Sequence, residues 1–400
     1  MILKTIDDLN LEGKKVLLRC DFNIPFDLQG KVLDSTKINR HKITIDELIQ
    51  KGSKTIILSH LGRPKGSFQD KLSLNKVLKV FAEKIKVSEV TVMPFCKPNI
   101  LKTVINDVSN GSITFMENIR FHPEEEKNDS DFAKQLAECA DYFINDAFSV
   151  SHRRHVSTYG LSKYLPTFVG RYLEIELKIL DKIFNNLNKP VMAIIGGAKI
   201  STKITLLHNL LKKVDKLVVG GAMANTFLVA QGYNLGKSLV EEGKVDLAKK
   251  IIDQAKEENC ELILPDDLVI AKSINELSSI ESIDIKDMKK DFSAFDLGNR
   301  TIEKISNEMA SCRTIFWNGP LGLYEQAPFD NSTNVIGRTA AILTKSKLIT
   351  SVIGGGDTVA ALNKSDLTGG FSFVSIAGGA LVEWLEGKVL PGLEFLSSHK

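Results

Sequence analysis

The stretch SHLGRPKG, Ser59 to Gly66, sets a histidine, an arginine and a lysine directly behind the apolar run KTIIL. Two glycines and a proline bend the chain between these cations. Such a turn makes one wall of an anion pocket if other cations converge on it. The first half of the chain supplies candidates, each behind another apolar run: Arg120 in ENIRFHPEEEK, and His152 and Arg153 in DAFSVSHRRH, with the polar Asp21 and Asn23 in RCDFN at a further run's end. Planar guanidinium forks match phosphate and carboxylate oxygens, so converging arginines point to a small, compact anion. In the second half the corresponding endings are mostly glycine: GGAKISTK, GGAMANTF, NGPLGLYE, GGGDT and AGGA, with PDDL among them. Glycines let backbone N–H groups approach a ligand, and a glycine turn that opens a helix is an anion site. Several on one sheet suit a nucleotide.

Lys199 and Lys203 lie four apart in GGAKISTK. On a helix opening after the glycines they share a face and reach one phosphate group. Asp357 in GGGDT is a hard oxygen ligand at a glycine turn, suited to nucleotide-bound Mg²⁺. Taken singly, each motif has a plainer explanation. One GG is usually turn chemistry, Arg153 and Arg154 alone make a solvated face, and His60 alone is a loop hydrogen-bonder. Repetition at one structural address favours function. Other patterns fail. QGYNLGKS, Gln231 to Ser238, has glutamine where a P-loop needs its first glycine, and helical sequence precedes it. No G-x-G-x-x-G occurs, and GGGDTV lacks its last glycine. HPEEEKND is a solvated acidic turn.

These residues need a scaffold that gathers strand ends. Short apolar runs recur eleven times: KVLLRCDF, KTIILSH, EVTVMPF, SITFMEN and DYFINDAF, then VMAIIGG, KLVVGG, ELILPDD, TIFWNG, LITSVIGGG and FSFVSIAGG. Helical segments such as DFAKQLAECA and GKVDLAKKIIDQAKEE separate most of them. Alternation of this kind gives βαβ units and parallel sheets, whose ligands bind at the carboxyl ends of the strands. Eleven strands suit two sheets of five or six. The divide falls at FVGRYLEIELKILDKIFNN, Phe168 to Asn186, where Leu173, Leu177, Leu180 and Phe184 recur at helical spacing. The reading is a first domain over 1–168, a linker helix over 169–186 and a second domain over 187–385. The tail, about 386–400, packs back onto one of them.

Size and composition agree. The chain has 400 residues, 43% hydrophobic and 25% charged, and 52 basic against 49 acidic side chains leave a net charge of +3. That balance excludes a general nucleic-acid or membrane-surface binder. The five cysteines, Cys20, Cys96, Cys139, Cys260 and Cys312, include no C-x-x-C pair, which argues against a disulfide framework or zinc site. The start MILKTIDDLN lacks the apolar segment of a signal peptide, and no run approaches the ~20 residues of a spanning helix. The expectation is a reduced, cytoplasmic enzyme.

The stretches DFN-P, SHLGRP, ENIRF, GGAK---K, WNGP-G--E and GGGDT, in this order, resemble the phosphoglycerate kinase family, from RCDFNIP to WLEGKVLPGL. The resemblance implies two Rossmann-like three-layer α/β/α domains with parallel sheets, joined by a linker helix and a hinge. It implies Mg²⁺-dependent phosphoryl transfer between 1,3-bisphosphoglycerate and ADP, giving 3-phosphoglycerate and ATP, in a monomer. The glycerate would meet Asp21, Phe22, Asn23, Lys37, His60, Leu61, Gly62, Arg63, Arg120, His152 and Arg153. The nucleotide would meet Gly197, Lys199, Lys203, Gly221, Asn318, Gly322, Glu325, Gly354, Gly355, Gly356, Asp357 and Thr358. Within that set Glu325 contacts the ribose and Asp357 the metal. Lys37, Lys199, Lys203 and the backbone of Gly378 and Gly379 would serve the transferring phosphoryl. The tail would return to the first domain.

Two departures from the family pattern stand out. STKINRHK carries Lys37 where the family has an arginine; Arg40 lies three residues on, on the same helical face, and Lys37 is the favoured occupant of the role. SIAGGA, Ser375 to Ala380, has Ile376 and Ala377 where the family has threonine and glycine. Ala377 conflicts with any role that needs a positive φ there. Two other function classes compete. A non-catalytic two-domain clamp for a phosphorylated acid has no use for Lys199, Lys203 and Asp357. A nicotinamide-dependent dehydrogenase needs the glycine fingerprint that is missing.

Overall fold

The computed structural model describes residues 3–7, 9–27, 29–87, 90–95, 97–185 and 188–396, the side chains of 182–185 excepted. Cys96, Asn186, Phe184's side chain and residues 397–400 of the tail lie outside this description. The chain divides into one unit of Met1–Asp181 with Val389–Lys400 and another of Lys182–Lys388.

In the first unit six strands form one sheet: β1 (Lys15–Arg19), β2 (Lys54–Leu58), β3 (Val90–Met93), β4 (Ile113–Met116), β5 (Tyr142–Asn145) and β6 (Thr167–Val169), in the order β3-β4-β2-β1-β5-β6. All pairs are parallel. Its helices are α1 (Thr36–Gln50), α2 (Asn75–Lys84), α3 (Pro98–Asp107), α4 (Pro123–Lys127), α5 (Ser130–Ala137) and the greater part of α6 (Arg171–Asn185), whose residues from Lys182 on fall in the second unit. Strand residues alternate between two cores. Val16, Leu18, Ile57 and Phe115 pack with Ile38, Ile45, Val77 and Phe81 of α1 and α2. Leu17, Ile56, Leu58 and Phe143 pack with Leu101, Ile105, Phe132 and Leu136 of α3 and α5. A parallel sheet buried on both faces explains why the strands read as continuous apolar runs.

The second unit has β7 (Val191–Ile195), β8 (Lys216–Val219), β9 (Glu261–Ile263), β10 (Asp267–Ala271), β11 (Glu281–Asp284), β12 (Ser293–Leu297), β13 (Thr314–Asn318), β14 (Thr350–Gly354) and β15 (Phe373–Ser375). Six of them make a parallel sheet, β15-β14-β13-β7-β8-β9, and β11-β10-β12 is a separate antiparallel one. Its helices are α7 (Ile204–Leu211), α8 (Ala222–Ala230), α9 (Val245–Glu257), α10 (Asn299–Ala310), α11 (Asn331–Lys345), α12 (Gly356–Lys364) and α13 (Gly379–Leu385).

All eleven expected runs contain strands of the two parallel sheets. The twelfth, β6, falls where the sequence reading began the linker helix. Val169 is strand because its N–H donates to the Lys4 carbonyl (2.9 Å) and β6 pairs with β5. Gly170 then separates strand from helix; a Cβ there would meet the Asp146 carboxylate at 2.2 Å. Leu173, Leu177 and Leu180 face the core at the expected spacing. Near the C-terminus, Gly392 N–H donates to Ser151 O (2.8 Å), Asn145 Nδ2 donates to Gly392 O (2.9 Å), and Lys4 N–H donates to Leu396 O (2.8 Å). No helix is long and apolar enough to cross a membrane among the described residues.

Candidate active site

At the carboxyl end of β1 the chain turns through Asp21, Phe22 and Asn23. Asp21 Oδ1 accepts the Asn23 N–H (3.0 Å), while Oδ2 accepts Lys37 Nζ (2.7 Å) and the Ser149 hydroxyl (2.5 Å). Burial alone would raise the Asp21 carboxyl. Lys37, His60 and the Ser149 hydroxyl together outweigh it, and the group is held far below the usual carboxylate range. Lys37 Nζ also donates to Asn23 O (3.1 Å). Arg40 instead lies over the Tyr172 ring, 5.8 Å from its centroid.

Asn23 Oδ1 accepts the Gly62 N–H (2.9 Å), which joins this turn to SHLGRPKG. Gly62 has φ +64, and a Cβ there would lie 2.7 Å from Leu72 Cδ2, so a side chain would be strained and would push Leu72 aside. Gly62 O accepts Arg120 NH1 (2.9 Å). Arg63 is exposed and, among the described residues, has no side-chain partner; Lys65 is exposed at φ +58. Phe22 and Leu61 differ from expectation. Phe22 is fully buried against Phe81 and Phe115, and Leu61 is 4% exposed in the same core. Aromatic and aliphatic surface is favoured there, so their side chains support the turn and only their backbones are left for a ligand.

Arg120 is 3% exposed; its Nε is ion-paired with Glu126 Oε1 (3.3 Å), and its NH2 has no hydrogen-bond partner among the described residues. Burial, then Arg153 and Arg19, pull its guanidinium down to about 10. Arg153 Nε donates to His152 Nε2 (3.4 Å). Burial lowers His60 well below the usual imidazole range. Burial and then Arg153 lower His152 to about 4; burial and then Arg120 lower His155 to about 3. The rings are therefore neutral at pH 7, and the arginines carry the charge. An unpaired buried donor among clustered guanidiniums fits an anion site.

Arg19 stands behind these residues and was not singled out by sequence reasoning. It is 1% exposed on β1; its Nε donates to Ser157 Oγ (2.9 Å) and its NH2 to His60 Nδ1 (3.2 Å). Arginine has no acceptor, so His60 Nδ1 accepts and its proton sits on Nε2, leaving a donor. Nothing in the sequence separates Arg19 from the strand that contains it.

In the second unit the glycine ends converge. Gly221, with φ +66, precedes α8, and a Cβ there would meet Gly197 O at 2.6 Å. Gly355, with φ +98, caps α12, and a Cβ there would meet Asn318 Nδ2 at 2.7 Å. A cavity of about 560 Å³ is lined by Gly197, Gly221, Gly322, Glu325 and Asp357, with apolar walls that include Leu239, Leu268 and Leu321. Gly322 lacks a side chain because Asp296 Oδ1 would lie 2.1 Å from its Cβ. Glu325 and Asp357 are exposed, and Asp357 has no hydrogen-bond or ion-pair partner among the described residues. A free carboxylate at the start of a helix beside this cavity fits a hard cation.

Lys199 and Lys203 do not share a helix. Lys199 is extended and exposed, Ile200–Thr202 form a 3₁₀ turn, and α7 opens only at Ile204. Lys203 is partly buried with its Nζ on Asn318 Oδ1. Burial lowers its ammonium to about 8, with Asp357 opposing. Asn318 and Thr358, expected to bind nucleotide, have their side chains occupied. Asn318 Nδ2 donates to Gly354 O (2.8 Å), and Thr358 Oγ1 accepts the Gly319 N–H (2.6 Å) and donates to Gly354 O (2.9 Å). Both fix the glycine loops. Gly354 itself would bring a Cβ to 2.1 Å from Leu381 Cδ2, while Gly356 opens α12 in free space. Gly378 has φ +56 and caps α13, whose first residue is Gly379. Ala377 is not among the residues of positive φ, so the alanine strains nothing.

The family model for phosphoglycerate kinase matches residues 6–388. The phosphoglycerate kinase of Bartonella quintana is 46% identical over 393 residues, 98% of each chain. That of Rhizobium meliloti is 46% identical over 397 residues, 99% of each. Among solved structures, phosphoglycerate kinase from Coxiella burnetii aligns with TM-score 0.87 at 38% identity over 98% of each chain. The Pyrococcus horikoshii enzyme aligns with TM-score 0.82 at 27% identity, over 99% of this chain and 98% of that one.

Proposed function

The chain belongs to the phosphoglycerate kinase family, and we propose how its residues divide the work of that activity. The enzyme transfers a phosphoryl group between 1,3-bisphosphoglycerate and ADP, giving 3-phosphoglycerate and ATP. The observation that carries the assignment is a pair of complementary sites. The first unit has the buried Arg120, whose NH2 has no hydrogen-bond partner among the described residues, beside Arg153 and Arg19, and the second has a cavity walled by glycine and leucine, with Asp357 on its rim.

In this reading Arg63, Arg120, Arg153, His60 and His152 hold the glycerate, with Asp21 and Asn23 shaping the turn. The leucine-walled cavity takes the base, Glu325 the ribose, and the N-termini of α8 and α12 the phosphates. Lys37, Lys203, Lys199 and the backbone of Gly378 and Gly379 meet the transferring group, whose barrier is lowered mainly by positioning and charge neutralisation. Asp357 would hold Mg²⁺, which supplies charge neutralisation on the nucleotide phosphates when bound. Donor and acceptor must meet away from water, which would hydrolyse the acyl phosphate; we take hinge closure as the means. A monomer working in the cytoplasm completes the proposal.

A coupled assay for ATP formation from 1,3-bisphosphoglycerate, ADP and Mg²⁺ tests it. Arg120→Met should raise KM for the glycerate substrate and leave KM for ADP unchanged. The reverse pattern would overturn the division of labour.

A further inference from the structure

His41 has no part in the site as described, yet it is 1% exposed directly behind it. Its ring stands edge-on to Phe22, with centroids 5.5 Å apart, and to Tyr172, 5.2 Å apart. Both ring nitrogens are used. Nε2 accepts the Asp21 N–H (3.0 Å), and Nδ1 lies 2.8 Å from Asp146 Oδ2. An amide can only donate, so Nε2 is the acceptor and Nδ1 carries the proton that Asp146 receives. Asp146 Oδ1 in turn accepts the Leu173 N–H (3.1 Å) on the first turn of α6. Cys20, His41 and Asp146 lie close enough for a metal, but an ion there would have to displace these hydrogen bonds.

His41 follows Lys37 by four residues on α1, so both project from one helix face. Lys37 grips the Asp21 carboxylate and His41 grips its amide. We propose that His41 is a positioning residue for the glycerate site: through the Asp146–His41–Asp21 chain it fixes the turn of Asp21 and Asn23, which holds the Lys37 ammonium. The inference rests on the glycerate-site reading above. The imidazole is sealed from solvent at 1% exposure, so its effect passes through the placement of Asp21. The buried Asp21 amide needs an acceptor once it leaves β1, and His41 is the acceptor the fold supplies. The direction of the His41 proton depends on Asp146, as an orienting aspartate governs the tautomer in a catalytic triad.

Three variants separate this from simple core packing. His41→Phe keeps a ring between Phe22 and Tyr172 but removes the acceptor. Asp146→Asn is isosteric, and its amide donates to Nδ1, which turns an Nε2–H toward the Asp21 N–H. His41→Gln restores a carbonyl acceptor where Nε2 stood. Steady-state kinetics with 3-phosphoglycerate and ATP should show KM for 3-phosphoglycerate raised roughly ten-fold in His41→Phe and Asp146→Asn, the effect of orphaning one buried donor. KM for ATP should stay unchanged, and His41→Gln should recover to within about three-fold of the parent by the same arithmetic. Arg63→Ala serves as the reference for the glycerate site. If Arg63→Ala raises KM for 3-phosphoglycerate but the folded His41→Phe and Asp146→Asn proteins do not, the positioning role is overturned. A proportional rise in KM for ATP would overturn it equally. No effect of Arg63→Ala would overturn the glycerate-site reading itself, and this inference with it.

Discussion

Lys37→Ala and Arg40→Ala should have very different consequences, although the two cations lie one turn apart on α1. Lys37 Nζ has three protons to donate. Two go to Asp21 Oδ2 at 2.7 Å and Asn23 O at 3.1 Å, which aims the third away from both. That proton is available to a phosphoryl oxygen. Removing one donor to developing charge typically lowers kcat ~10²–10³-fold, so Lys37→Ala should fall in that range. Arg40 contributes a cation–π contact at 5.8 Å, worth ~0.5–1 kcal/mol at a surface site. Its loss should leave kcat within ~5-fold. The Lys37 change has a second effect. Asp21 would remain buried with only Ser149 and the Asn23 N–H, and breaking a buried pair costs ~3–5 kcal/mol. Lys37 is itself 23% exposed, so the low end of that range applies. Activity must therefore be compared at a temperature where far-ultraviolet circular dichroism shows both variants folded. Equal losses, or a larger loss for Arg40→Ala, would refute the assignment of Lys37 to the transferring group.

Lys203 should give the pH profile its alkaline limb. Its ammonium is lowered to about 8, so the cation is present below that pH and lost above it. kcat/KM for ADP should fall about ten-fold per unit beyond the break, and Lys203→Arg, always charged, should keep the profile level; a break shared by both proteins removes Lys203 from the site. Arg63→Ala should raise KM for the glycerate substrate, while Lys65→Ala should change only the salt dependence of the rate; a comparable KM effect from Lys65 would mean the turn is aimed differently. Gly319→Ala should destabilise the second unit, because Gly319 has φ +99 and a Cβ would stand 2.2 Å from Gly196 O. Unfolding by urea with an unchanged midpoint would show that this backbone contact can relax.

Candidate residues could be read in order behind each apolar run because parallel strands deliver ligands at one end. What holds those residues was not legible. His41 and Asp146 are 105 positions apart, Asp21 and Ser149 are 128 apart, and no local pattern links them. The β6 strand was hidden for the same reason: three residues become strand only because Lys4 and β5 lie beside them. The antiparallel sheet was missed because its strands, DLVIA, ESID and SAFDL, mix acidic and hydroxyl residues into short runs. Asn318 and Thr358 show the converse. Their position behind strands marks them as candidate ligand contacts, and what the sequence does not show is that their side chains hydrogen-bond Lys203, Gly319 and Gly354. Ala377 sharpens the point. The sequence pattern made it a threat to a glycine loop, yet the positive φ belongs to Gly378, which remains glycine. A motif tells which residue types stand at an address. Only the backbone angles and partners there tell which of them the chemistry requires.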